Sequence, residues 1–139
     1  MSSDPASLPD RITEAGREIA TRVVDVAEPR LEVLFQGTGT YHGFQFVNCW
    51  NTDVVPSQGG SQRGSAQGIL SLDTGEFVTW QAEGTAGFER PGLYVAEGTV
   101  TFGEHGGETL GHLRGRSGTF RFEEDNQGHY TQTITLAGE

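Results

Sequence analysis

A few uncharged polar side chains alternate with apolar residues, and these are the groups in the sequence best suited to act on a bound molecule. Asn48 is two residues from Trp50, and Gln132 is two residues from Tyr130. Because alternate side chains of a strand share one face, both amides are predicted to lie inside the protein. A buried amide needs hydrogen-bond partners and can offer one to a substrate carbonyl. The candidate catalytic residues are therefore Gln132, Tyr94, Asn48 and Tyr130.

The same alternation selects an apolar and aromatic set that would surround these amides. An apolar cavity with a few oriented polar groups is the usual form of a ligand pocket. Each member also has a structural alternative, because histidines often end strands and aromatic residues fill any β-sheet core. The predicted substrate-binding residues of the strands are His42, Phe44, Phe46, Trp80, Val100, Phe102, His112, Phe120, Phe122 and Ile134.

Other chemistries find less support in the sequence. Glu83 and Glu97 stand symmetrically about Arg90, but their parity places them on the outer face, away from Trp80. Cys49 also has outward parity, and as a single cysteine it excludes an internal disulfide. The four histidines show no tight ligand spacing, and phosphate-loop, nucleophile-elbow and zinc-protease motifs are absent. We therefore expect neither a metal nor a cofactor.

Composition restricts the partners. The 139 residues suffice for one domain, and nine basic against nineteen acidic residues give a net charge of -10. Nucleic acid and anionic membranes would be repelled, and no segment is apolar enough to span a bilayer. We expect a soluble, cytoplasmic protein. All nine basic residues are arginine, which indicates a GC-rich genome such as that of an actinobacterium.

The elements that must position these residues are strands. Glycine, threonine and aromatic residues dominate the chain after Gly37, with turn sequences such as Asp73-Thr74-Gly75 and Asn126-Gln127-Gly128. The pattern predicts an all-β fold, a small antiparallel β-barrel. The predicted strands span residues 37–51, 64–73, 76–87, 92–103, 109–124 and 129–137.

Before the barrel, apolar residues recur at intervals of three and four from Leu8 to Val26, which predicts an amphipathic helix over residues 8–27. Such a helix is marginal alone in water, so its apolar stripe needs a surface to cover. We predict a lid over residues 1–30 that covers the barrel, residues 38–139. Its substrate-facing residues would be Leu8, Ile12, Ile19 and Val23.

The segment between them, residues 31–37, reads Leu-Glu-Val-Leu-Phe-Gln-Gly. It resembles the recognition sequence of picornaviral 3C proteases, which cut between the glutamine and the glycine. We interpret it as an engineered protease site placed to detach the N-terminal segment, or alternatively as the end of a vector-derived leader.

With a helix over residues 8–27 and a barrel containing Trp80, Tyr94 and Gln132, the chain resembles the small β-barrel [4+2] cyclases of spirotetramate and spirotetronate biosynthesis in actinomycetes, particularly the pyrroindomycin spiro-conjugate cyclases. The resemblance rests on segment order and composition. It implies a calycin-like barrel of the allene oxide cyclase type, a Diels–Alder reaction without a cofactor in polyketide antibiotic biosynthesis, and a hydrophobic polyene substrate under an N-terminal lid.

Two other interpretations remain open. The same cavity would serve a lipocalin-like carrier that releases its ligand unchanged. A barrel without a cavity would instead be an interaction module, whose helix binds a partner or a second copy in a homodimer. An isomerase of the allene oxide cyclase type is less favoured, because it needs an interior carboxylate and the parity argument supplies none.

Overall fold

The computed structural model describes residues 10–56, 61–104 and 107–137. They form a closed barrel of eight antiparallel strands, each paired with its neighbour in the chain, and β8 pairs with β1. The predicted all-β antiparallel barrel is therefore confirmed. The strands are β1 (Arg11–Asp25), β2 (Arg30–Tyr41), β3 (Phe44–Val54), β4 (Gln62–Leu72), β5 (Phe77–Arg90), β6 (Leu93–Phe102), β7 (Ser117–Glu124) and β8 (His129–Leu136).

The predicted N-terminal helix is wrong for residues 11–25, which form β1. Ala15, Ile19 and Val23 are separated by four residues, an even number, so a strand also places them on one face. That face is the outside of the barrel, where Ile19 and Val23 are exposed, while Ile12 faces the core. The β-branched residues of the segment favour a strand, and pairing with both β2 and β8 stabilises it. No lid helix covers the barrel from these residues.

The heptapeptide over residues 31–37 is also part of the barrel and not a linker. It forms the first half of β2, paired with β1 on one side and β3 on the other. Val33 and Phe35 are buried in the core. The segment that resembles a protease site is thus held in a ladder on both sides, and the barrel begins at β1, not at residue 38.

One end of the barrel is closed by the connection between β6 and β7. The predicted strand over 109–124 begins only at Ser117, and before it lies a 3₁₀ turn, Gly111–Leu113. Leu110 and Leu113 are fully buried beneath this end. The Leu110 N–H donates to the carboxylate of Glu76, which anchors the connection to the start of β5. Apolar packing therefore fills the half of the barrel that this connection covers.

The predicted turns are confirmed where the structure describes them. Gly75, Gly92 and Gly128 have positive φ angles of 92°, 84° and 83°, which glycine adopts without steric cost. Within the described ranges, no helix has the length and apolarity required to cross a lipid bilayer.

Candidate functional site

The other half of the barrel contains a cavity of about 840 Å³ that is open to solvent at the end of the barrel. Its walls come from the ends of the strands opposite the β6–β7 connection. This volume falls in the range of small-molecule sites, roughly 300 to 1,000 Å³. The side chains that shape its interior include Val33, Phe35, Trp50, Trp80, Ala82, Tyr94, Ala96, Phe120, Phe122 and Gln132.

Aromatic rings on neighbouring strands form the deep wall of this cavity. The rings of Phe35 and Trp50 stack with centroids 4.2 Å apart, and Phe122 meets the Trp50 ring edge-on at 5.6 Å. Trp80 lies beside Trp50 at 5.8 Å. Because these rings contact one another, the wall presents a fixed apolar surface.

A buried carboxylate lies beneath the aromatic wall. Glu14, on β1, is only 3% exposed. Its Oε1 accepts a hydrogen bond of 2.8 Å from the Asn48 amide, and its Oε2 accepts one of 2.6 Å from the Tyr130 hydroxyl. The indole N–H groups of Trp50 and Trp80 donate in turn to Tyr130 and Asn48, both at 2.9 Å. The polar floor, defined as Glu14, Asn48, Tyr130 and Gln132, is thus tied to both tryptophans.

Glycine makes room for this network. A Cβ atom on Gly37 would lie 2.2 Å from the Tyr130 hydroxyl oxygen and 2.6 Å from Glu14 Oε2. A Cβ atom on Gly68 would lie within 2.6 Å of the Trp80 indole. All of these separations are far below van der Waals contact, so these two positions of β2 and β4 require glycine for the floor to form.

Burial changes the acidity of the floor. The pKa of Glu14 is raised because burial penalises its charged form more than the hydrogen bonds from Tyr130 and Asn48 stabilise it. The pKa of Tyr130 is also raised, first by burial and then by the adjacent Glu14 carboxylate. Glu14 is therefore a carboxyl group that takes up a proton more readily than one in water.

Gln132 is the member of the floor that lines the cavity itself. It pairs with Glu14 across the β1–β8 ladder and is 4% exposed. Its Nε2 atom makes no hydrogen bond within the usual distance and angle limits among the described residues, although the Gln132 side chain lies close enough to Glu14 to oppose the rise in the pKa of that carboxyl. A buried amide N–H without a partner carries a desolvation cost that a ligand oxygen would relieve.

A pair of carboxyl groups, separate from Glu14, lies at the mouth of the cavity. Glu18 and Glu124 both line it. The pKa of Glu124 is raised to about 8 by burial, by a hydrogen bond with Glu18 and by the charges of Glu18 and Asp125. Close to neutral pH the Glu124 carboxyl is therefore protonated in a large fraction of the molecules.

The predicted site residues divide between the cavity and the core. Gln132, Trp80, Tyr94, Phe120 and Phe122 line the cavity. Asn48 and Tyr130 lie below it in the polar floor. The remaining predicted residues of the strands are buried in the core and do not line the cavity: Phe46, Val100, Phe102 and Ile134.

Several predicted positions are wrong. Phe44 has inward parity but starts β3 at the rim and is 40% exposed. His42 lies in the turn between β2 and β3, and His112 lies in the 3₁₀ turn, so both are exposed at the closed end. Ile19 and Val23 face outward from β1. Leu8 lies outside the described residues, and Ile12 packs in the core as a strand residue.

Sequence reasoning missed Glu14, Phe35 and the carboxyl pair at the mouth. The signal for Glu14 was its spacing of two from Ile12, which a helical interpretation conceals. Phe35 was assigned to a linker. The premise that the barrel holds no interior carboxylate is therefore wrong. Glu83 and Cys49 are exposed as predicted, and Glu97 is exposed and bonded to Arg121 on the outer surface.

Comparison of the chain with protein-family models, with curated proteins and with solved structures gave no match.

Proposed function

We propose that the cavity binds a hydrophobic small molecule with one hydrogen-bond-accepting group, and that it promotes a cofactor-independent intramolecular [4+2] cycloaddition of that molecule. The observation that carries this proposal is the Nε2 of Gln132 at the base of an aromatic cavity, which has two N–H donors and makes no well-formed hydrogen bond among the described residues. The substrate class, a linear polyene tetramate or tetronate, follows from the resemblance to calycin-like spiro-ring cyclases.

The shape and lining of the cavity support the binding step. Rings of Phe35, Trp50 and Phe122 provide a rigid apolar wall on which a polyene can pack. A cavity of about 840 Å³ is large enough for a drug-sized ligand. Burial of the polyene supplies roughly 25 cal/mol per Å² of apolar surface removed from water.

Ring closure needs no nucleophile in this scheme. A flexible polyene reacts faster when diene and dienophile are held over each other, because the entropy of folding is already lost on binding. A substrate carbonyl at the cavity base would accept a hydrogen bond from the Gln132 N–H. This hydrogen bond strengthens as negative charge develops on the carbonyl oxygen in the transition state. Glu14, paired with Gln132 across the ladder, positions the amide. The scheme requires no lid helix.

The second candidate function is a carrier that binds a hydrophobic molecule and releases it unchanged. It is favoured because the polar groups of the floor bond mostly to one another. The tryptophan N–H groups and the Asn48 amide all donate within the protein. Gln132 is therefore the buried donor at the cavity base that makes no well-formed hydrogen bond among the described residues. A single polar contact suffices to orient a ligand without changing it.

An acid–base isomerase gains support from Glu14, the interior carboxylate that the sequence argument did not find. Its pKa is raised by burial, so it takes up a proton more readily than an ordinary carboxylate. Glu14 does not itself line the cavity, so proton transfer to a ligand would need a relay through the Tyr130 hydroxyl, which donates to Glu14.

The test uses Trp50 and Trp80 as reporters, since both line the cavity. Quenching of their fluorescence by a linear polyene tetramate would measure binding, and chromatography would detect an isomeric product of unchanged mass. Gln132→Leu keeps the side-chain size and removes the donor, and Gln45→Leu on the exposed face of β3 is the matched control.

We expect Gln132→Leu to lower the rate of conversion by about 10-fold or more while binding weakens less, because the donor acts mainly in the transition state. Binding without conversion in the unmodified protein would replace the cyclase by the carrier. A product of altered double-bond position without a new ring would favour the isomerase. The absence of binding would overturn all three.

A further inference from the structure

A second cluster of functional groups lies at the closed end of the barrel, remote from the cavity. Asp10 precedes β1, His42 is in the β2–β3 turn, and His112 is in the 3₁₀ turn. One oxygen of Asp10 and one nitrogen of each imidazole lie within 4.8 Å of one another. The rings of His42 and His112 are nearly parallel, with centroids 5.4 Å apart.

We propose that Asp10, His42 and His112 form a binding site for a divalent transition-metal ion of the Zn²⁺ class. Two imidazoles and one carboxylate are the donor set that Zn²⁺ and its neighbours Co²⁺ and Ni²⁺ take in proteins, and a three-ligand site leaves a coordination position for water.

The two carboxylate oxygens of Asp10 have different partners. Oδ1 faces His42 Nε2 at 3.2 Å, whereas Oδ2 accepts a hydrogen bond of 2.6 Å from the Tyr41 hydroxyl. Metal-binding carboxylates are commonly held in this way, with one oxygen on the ion and the other bonded to a supporting group. Tyr41 is buried and stacks on the His42 ring at 4.1 Å, so it fixes both ligands.

His42 adopts a left-handed backbone conformation, which is uncommon for residues other than glycine. Its φ is +50° and that of Gly43 is +83°, as in the two-residue hairpin turns that normally take asparagine or glycine at both positions. Histidine there costs conformational energy. The turn places the imidazole beside Asp10 and parallel to His112.

The three ligand atoms must move slightly closer together to coordinate an ion. Ligand atoms at about 2.0 to 2.1 Å from a tetrahedral Zn²⁺ are about 3.4 Å apart, against separations of up to 4.8 Å here. The side chains of His42 and Asp10 are 56% and 30% exposed and have room to move. His112 Nε2 is 2.7 Å from the Tyr41 hydroxyl and would exchange that contact for the ion.

The test titrates the untagged full chain with Zn²⁺ by calorimetry and with Co²⁺ by its visible absorption. We expect saturable binding of one ion per chain. His42→Asn retains a residue that tolerates positive φ, and His112→Gln retains a polar side chain. Each should weaken binding by at least about 100-fold, more than the loss of a supporting group. Tyr41→Phe should weaken it by about 10- to 100-fold.

His129→Gln is the matched control, because His129 is an exposed histidine 3.7 Å from Asp125 on the opposite end of the barrel. It should leave the affinity unchanged. Absence of a saturable one-to-one phase overturns the proposal, and so does an affinity unchanged in both His42→Asn and His112→Gln. An equal loss in His129→Gln would show that the ions bind surface histidines in general.

Discussion

The two ends of the barrel contain the same contact in different surroundings, with opposite effects. At the cavity floor the Tyr130 hydroxyl donates to Glu14 at 2.6 Å, and at the closed end the Tyr41 hydroxyl donates to Asp10 at 2.6 Å. The pKa of Glu14 is raised and that of Asp10 is lowered. The hydrogen bond favours the anion in both, so burial and the neighbouring histidines decide the difference.

This difference separates the proposed roles. A buried carboxyl with a raised pKa holds the cavity floor together and positions Gln132. An accessible carboxylate beside two imidazoles is suited to a cation. The packing differs too, since apolar side chains fill the closed end and the open end retains a cavity.

The largest expected effect is on the rate of proteolysis, which tests whether the strands of the open half resist local unfolding as well as those of the closed half. The bond between Gln36 and Gly37 lies in β2, paired on both sides. A protease needs an extended, unpaired segment. The folded protein should therefore be cut by 3C protease on the order of 1,000-fold more slowly than a chain of the same sequence that has been unfolded in urea.

Cleavage followed in increasing urea, below the unfolding transition, measures how the segment opens. Rates that follow global unfolding would show that both halves open together. Rapid cleavage without urea would mean that the first half of β2 opens locally or is unpaired, and would contradict the register described here.

The next effect compares packing in the two halves. Leu113 is fully buried at the closed end, whereas Phe120 is partly buried with one side facing the cavity. Leu113→Ala should lower the free energy of unfolding by about 3 kcal/mol, and Phe120→Ala, with fewer contacts to lose, by about 1 kcal/mol. Urea denaturation measures both, and equal losses would mean that the cavity half is as tightly packed as the closed half.

The smallest effect is the pH dependence of the two ends. Because the pKa of Glu124 is raised from 4.5 to about 8, its contribution to stability is present below pH 4.5 and is lost as the pH rises to about 8. The pKa of Asp10 is lowered from 3.8, so its contribution is present above pH 3.8 and is lost as the pH falls further.

Thermal unfolding across this range separates the two groups. Glu124→Gln should flatten the decline in Tm between pH 4.5 and about pH 8, an effect of a few degrees. Asp10→Asn should leave that decline intact and reduce Tm at neutral pH. A decline that persists in Glu124→Gln would show that another group, with Glu14 the first candidate, carries it.

Alternation was sufficient to place several residues of the site. Trp80, Gln132 and Phe122 were predicted inside the barrel because each alternates with polar residues in a strand bounded by glycine turns. Alternation failed in β1, where Ala15, Ile19 and Val23 share the outer face and their spacing also fits a helix. Once β1 was taken for a helix, Glu14 could not be recognised as an interior group.

Parity also cannot say how far along the barrel a side chain lies. Phe46 and Trp50 have the same parity on β3, yet Phe46 packs in the closed half and Trp50 lines the cavity. The β6–β7 connection fills one end and leaves the other open. No local sequence pattern in residues 103–116 predicts which end is filled, because this depends on which surface Leu110 and Leu113 cover.

By itself the sequence determined an all-β barrel, most of its strands and turns, and the inward direction of Gln132, Asn48 and Trp80, because these follow from residue type and a period of two. Only the tertiary structure decided which groups meet. Closure of β1 on β8 brings Glu14 to Tyr130 across 116 residues of sequence, and the closed end brings Tyr41 to His112 across 71. Such contacts arise from the closed path of the sheet, and no local spacing encodes them.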